Sequence, residues 1–147
     1  MTALYRRILL VVDLTEESMA MGRRAQALAA TLGAAVELLH VVEFVPVEPM
    51  GETLMPSVQI EEELLARARE RLTALAASLG LGGVSCHVES GSVKAEIVRV
   101  ARERQADLIV LGSRERHGLS ILLNFTEDSV LHAAPCDVLA MRPGRAP

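Results

Sequence analysis

The feature that most constrains this chain is a continuous run of branched apolar residues that recurs between segments of helical periodicity. Ile8-Leu9-Leu10-Val11-Val12 and Leu108-Ile109-Val110-Leu111 lack the alternation of a strand with one wet face. Runs of this kind read as strands buried on both faces. Val36 to Val42 reads the same way, Val84 to Val88 alternates as an edge strand does, and Val138 to Met141 is a last short strand.

Between the strands the period changes from two to about 3.6. Thr15 offers an N-cap with Glu16 and Glu17 at the positive end of the helix dipole, and Met21, Ala25, Leu28, Ala29 and Leu32 repeat at helical spacing up to Gly33. A second stripe runs through Leu64, Ala68, Leu72, Leu75 and Leu79, begins among the solvated carboxylates Glu61 to Glu63 and ends at Gly80, Gly82 and Gly83. Ser92 caps a third helix with Val93, Ile97, Val100 and Ala101 on its apolar face, and Leu119, Leu122, Leu123, Val130 and Leu131 form a fourth, stopped by Pro135. Phe44 to Pro56 holds three prolines and a glycine without periodicity and reads as a long loop, in which Met50 and Met55 either cover a pocket or anchor the loop.

Strands alternating with helices imply a parallel open sheet with helices on both faces, and one domain over 1–147 with its core at about 5–142. In such sheets ligands bind beyond the carboxyl ends of the strands. Those ends are Asp13, Val42 and Gly112.

Composition narrows the classes of partner. A net charge of -4 leaves no electrostatic footprint for nucleic acid or an anionic membrane, and three aromatic residues (Tyr5, Phe44, Phe125) offer no stacking platform for bases. No apolar run is long enough to span a bilayer and the start is not a signal peptide, so the cytoplasm is the expected location. Cys86 and Cys136 stand in no metal or CxxC spacing and are expected as buried, reduced thiols. His40 and His132 read as packed or capping residues, and His87, with Glu89 as its polar neighbour, as no metal site. Ser113 and Ser120 have no His/Asp relay, so no hydrolase triad is expected.

Two places could carry chemistry. Asp13 follows a buried strand and could hydrogen-bond a ribose or a loop amide, or could serve as a turn and capping residue. The segment from Gly112 to Thr126 leaves the most apolar strand and enters a helix. With Gly112, Gly118, Arg114, Arg116 and His117 it could cradle phosphate, or could be a solvated loop with ordinary turn glycines.

That segment resembles the C-terminal signature of the universal stress protein family. So do Leu38-Leu39-His40-Val41, Ala106-Asp107-Leu108-Ile109-Val110, Ala134-Pro135-Cys136-Asp137-Val138-Leu139, and the opening Ile8 to Asp13 with Thr15-Glu16-Glu17-Ser18. The resemblance covers about Tyr5 to Arg142. It implies a five-stranded parallel sheet of order 3-2-1-4-5, Rossmann-like and of the adenine nucleotide alpha-hydrolase type, and a homodimer through the last strand, Val138, Leu139, Ala140 and Met141. It also implies two branches. One binds ATP through a G-x2-G-x9-G-[S/T] loop, and the other lacks the loop glycines.

This chain keeps Gly112 but has Glu115 at the second glycine and Asn124 or Phe125 at the third, with Thr126 able to supply the hydroxyl if Phe125 takes the glycine position. At an effective dielectric near 20, like charges about 4 Å apart repel by roughly 4 kcal/mol, so Glu115 opposes a phosphate. Any side chain at the third glycine blocks close backbone approach. Asp13 and Val41 still match the adenine side. The expectation is a non-enzymatic, dimeric stress-response protein that does not bind ATP tightly and needs no cofactor or metal. The alternative is an adenine-nucleotide sensor or weak ATPase taking AMP, or ATP with Mg, at Asp13, Val41, Gly112, Arg114, Gly118 and Thr126. A receiver domain is disfavoured, because it needs clustered acids and a late lysine, and the sole lysine is Lys94.

Overall fold

A computed structural model of the chain describes residues 2–43, 57–112 and 130–142. The element order is β1 (Arg7–Val11), α1 (Ser18–Leu32), β2 (Ala35–Val42), α2 (Ser57–Ser78), β3 (Cys86–Ser90), α3 (Val93–Glu103), β4 (Leu108–Gly112) and β5 (Asp137–Met141). Residues 130–133, ahead of β5, are helical. The strands form one sheet of order β3-β2-β1-β4-β5, parallel at every pairing.

The continuous apolar runs are explained by two cores, one on each face of the sheet. Ile8, Leu10, Val36, Leu38, Leu108 and Val110 point to the face covered by α1 and α2, where Met21, Ala25, Ala29, Leu72 and Leu79 pack on them. Leu9, Leu39, Val41, Ile109 and Leu111 point the other way, onto Ile97, Val100 and Ala101 of α3 and Val130. Alternate residues of β1, β2 and β4 thus serve opposite cores, which is why no polar face appears in their sequence. α1 ends where Gly33 turns left-handed (φ 67°), freeing the Ala34 amide to donate to the Ala29 carbonyl at 2.9 Å.

At the amino ends of the strands the sheet is tied by side chains. Both oxygens of Asp107 accept main-chain amides of the strand-1 start, from Arg6 at 2.8 Å and Arg7 at 2.9 Å. The Tyr5 hydroxyl donates to Asp137 at 2.8 Å. Glu37 on β2 accepts from Arg104 at 2.8 Å and from Nε2 of His87 at 3.1 Å.

Several sequence expectations are corrected. Thr15 does not cap α1: its amide and hydroxyl are both given to Asp13, so the helix begins three residues later with Glu17 at the cap position and no side-chain cap bond. Glu16 and Glu17 therefore precede the first turn. The third strand lies two residues beyond Val84 to Val88, because the Val84 amide is used in a turn onto Leu81. α2 starts at Ser57, which moves Glu61 past its first turn, and Glu61 is half-buried and accepts from the Ser90 hydroxyl. His87 bonds Glu37 on the neighbouring strand, while Glu89 pairs with Arg99 at 3.2 Å. The cysteines are free but not buried: Cys86 opens the edge strand and is exposed, and Cys136 is half-buried. Burial raises both thiol pKa values, with Asp137 and Asp107 adding to the shift at Cys136. The Phe44 to Pro56 loop and the fourth helix ahead of Val130 lie outside the described residues.

Candidate functional site

In this strand order β1 lies between β2 and β4, with the crossover helices α1 and α2 on one face of the sheet and α3 on the other. The crevice beyond the carboxyl ends of β1 and β4 is the topological switch point, where open parallel sheets bind ligands. Three of the candidate residues are described there: Asp13 past β1, Val41 near the end of β2 and Gly112 at the end of β4. Arg114, Glu115, Gly118, Asn124, Phe125 and Thr126 lie outside the described residues.

Asp13 is exposed, and its Oδ1 gathers three donors: the Thr15 amide at 3.2 Å, the Thr15 hydroxyl at 2.7 Å and the Ser18 hydroxyl at 3.2 Å. Ser18 is the buried polar residue of this turn at 4% exposure, and its oxygen also accepts from the Thr15 amide at 3.1 Å. The turn-forming role weighed for Asp13 is therefore present in full. A short polar side chain that captures the amide two residues on holds the chain in a turn.

The next residue bends the chain sharply. Leu14 has φ 59°, in the left-handed region, yet its side chain is only 7% exposed and belongs to the α1/α2 core. A non-glycine residue in that conformation is sterically unfavourable by roughly 1–2 kcal/mol and persists only where its surroundings over-determine it. Here they do so from two sides. His40 on β2 donates from Nδ1 to the Val12 carbonyl at 2.8 Å, and the guanidinium of Arg71 on α2 donates to the Leu14 carbonyl. The carbonyl acceptor fixes the proton of His40 on Nδ1. The two carbonyls flanking Asp13 are thus held by two different elements. Leu14 and Arg71 carry no signal in the sequence, and Ser18 stands out there only within the family-like opening. Nothing distinguishes Arg71 from Arg67 and Arg69 in the same helix until the fold brings it to the turn.

Val41 is 8% exposed and packed beneath α3, so any contact it makes with a ligand falls to its main chain. Gly112 packs closely against α1. A Cβ there would lie 2.7 Å from the sulfur and 3.3 Å from the methyl carbon of Met21. Among the described residues no group of three or more His, Cys, Asp or Glu is placed to hold a metal ion, and no helix is long and apolar enough to cross a membrane.

The sequence pattern of the universal stress protein family matches residues 4–142. Universal stress protein A homolog 1 of Coxiella burnetii is 36% identical over 138 residues, covering 93% of this chain and 96% of that protein. The solved structure of universal stress protein UspA from Lactobacillus plantarum superposes with a TM-score of 0.70 at 26% identity, covering 96% of this chain and 100% of that one. A universal stress protein crystallised in complex with cAMP superposes with a TM-score of 0.61 at 22% identity, covering 93% and 96% of the two chains.

Proposed function

The chain belongs to the universal stress protein family, and on that footing we propose that it is a non-enzymatic, cytoplasmic regulatory protein of a stress response. It works as a homodimer and belongs to the branch whose phosphate loop no longer holds ATP tightly. The observation that carries this reading is the residue identity in the loop, where Glu115 and the Asn124-Phe125 pair stand at the second and third motif glycines. Gly112, the one glycine kept at its motif position, packs against the end of the Met21 side chain, so its retention has a packing reason beside any ligand. Asp13, likewise, is accounted for by the turn it closes. The residues that would have to admit phosphate are Glu115 and the Asn124-Phe125 pair. A carboxylate and two side chains there oppose an anion and block close backbone approach. A triphosphate does not fit this residue set.

The dimer is supported by the edge position of β5. Leu139, a large apolar residue on that strand, is 37% exposed, and among the described residues β5 is an edge of the sheet. Antiparallel pairing of two such strands about a two-fold axis would cover the edge.

The test is calorimetric titration of the chain with ATP and magnesium. No saturable heat is expected at micromolar ligand. The triple variant Glu115→Gly, Asn124→Gly, Phe125→Ser is expected to gain affinity. Tight binding by the wild type would overturn the reading, and an unchanged triple variant would show that charge and steric blockage are not its cause.

A second reading is favoured by the exposure of Asp13 at the switch point. A carboxylate held at the end of β1 suits a ribose hydroxyl, so an adenylate with a single phosphate can use the strand ends without the loop. The chemistry of the cAMP complex of a same-fold protein sets AMP and cAMP as the ligands to try.

A further inference from the structure

We propose that Arg71 is a positioning residue for the strand-end site: it latches the strained turn after β1 and thereby sets where the Asp13 carboxylate points. This rests on the second reading above for its ligand, but the latch itself is a property of the free protein.

Described bonds hold the turn from three sides. Asp13 Oδ1 ties it to Thr15 and Ser18, His40 ties the carbonyl before Asp13 to β2, and Arg71 ties the carbonyl after it to α2. The Leu14–Thr15 peptide, which follows the unfavourable φ, is held at its amide by Asp13 within the turn and at its carbonyl by Arg71 from a separate helix. With φ at 59°, Leu14 turns its carbonyl toward α2 while its side chain stays in the core. If the peptide flips toward the ordinary helical or extended region, the carbonyl leaves the guanidinium and the Asp13–Thr15 geometry goes with it. A charge-assisted hydrogen bond is of the size needed to offset one left-handed residue. Arg71 is exposed, whereas its neighbours in the stripe, Ala68, Leu72 and Leu75, are core residues. Its removal therefore leaves the packing of α2 in place. The restraint comes from a helix outside the β1–α1 unit, so whatever shifts α2 along the sheet also shifts the carboxylate that faces the ligand edge.

The experiment compares wild type, Arg71→Met and Arg71→Lys in the full chain by two measurements. The first is amide hydrogen exchange without ligand, reading the Thr15 amide, which donates to Asp13, against the core amide of Ile109. Arg71→Met is expected to speed exchange at Thr15 about tenfold, the effect of losing one hydrogen bond to a charged group, with Ile109 unchanged and Arg71→Lys intermediate. Equal exchange at Thr15 in wild type and Arg71→Met overturns the latch. The second is calorimetry with AMP, where Arg71→Met is expected to bind about tenfold more weakly and Arg71→Lys to recover part of the loss. Binding of AMP that is the same in all three proteins overturns the positioning role. If wild type does not bind AMP, the adenylate reading fails by itself, and the latch is decided by Thr15 exchange.

Discussion

The Met21 sulfur stands 2.7 Å from the point a Cβ on Gly112 would occupy, so the end of β4 and the first turns of α1 share one volume. Gly112→Ala therefore forces the thioether aside. The atoms met are the movable end of a side chain, so the expected loss in urea denaturation is small, about 0.5–1 kcal/mol. In a Met21→Ala background the same substitution is expected to be close to neutral, giving a coupling of at least about 0.5 kcal/mol. An equal penalty in both backgrounds would mean that Gly112 is required by its backbone conformation and not by Met21.

Glu37 supplies a pH dependence. Burial raises its carboxyl pKa, but hydrogen bonds from Arg104 and His87 outweigh that and hold it below the ordinary carboxylate value. A depressed folded-state pKa contributes stability above the unfolded value that is lost as pH falls through the folded one. Glu37→Gln is expected to be about 1–2 kcal/mol less stable than wild type at neutral pH. The two should converge as pH falls through the depressed folded-state value, where the wild-type carboxyl takes up its proton. Denaturant midpoints followed from neutral pH into acid check this, and a gap that never narrows would point to lost packing instead of lost charge.

Asp107 fastens the start of β1 through two main-chain amides. Asp107→Ala leaves both without their acceptor and is expected to lower stability by about 2–3 kcal/mol. Asp107→Asn keeps one oxygen acceptor and is expected to lose about half as much. Thermal melts of the two variants rank these losses. Equal melting of all three proteins would show that water replaces the carboxylate without penalty.

The proposed dimer makes a mass prediction. Light scattering of the wild type should give twice 15.8 kDa. Leu139→Lys places a charge on the exposed face of β5 and should give the monomer mass with unchanged circular dichroism, because lysine on an edge strand opposes pairing. A wild-type monomer at all concentrations, or a Leu139→Lys dimer, removes β5 as the interface.

Much of this architecture was legible because it follows from local rules. The runs at Ile8, Val36 and Leu108 had to be buried on both faces, and the stripes from Met21, Ala68 and Val93 had to be helices covering them, although Leu64, expected to open the second stripe, is exposed. Ser92 caps α3 as its position suggests, accepting the Ala95 amide at 3.4 Å. The order 3-2-1-4-5 entered through the family likeness, since periodicity alone is silent about which strands are neighbours. The errors fall where one side chain chose between a local and a distant partner. Thr15 turned to Asp13 and not to its helix, His87 to Glu37 across the sheet and not to Glu89, and Glu61 to Ser90 and not to water.

The sequence by itself determined the class of fold and, through its motifs, the family, because those depend on hydrophobic period and on residue identity at fixed spacing. Only the tertiary structure decided what the candidate site residues touch. Gly112 packs against Met21, Asp13 closes a turn, and Arg71 holds the Leu14 carbonyl beyond it. Those contacts join residues as far as 91 positions apart in Met21 and Gly112 (112 minus 21), and their energy depends on a geometry that exists only once both cores have packed.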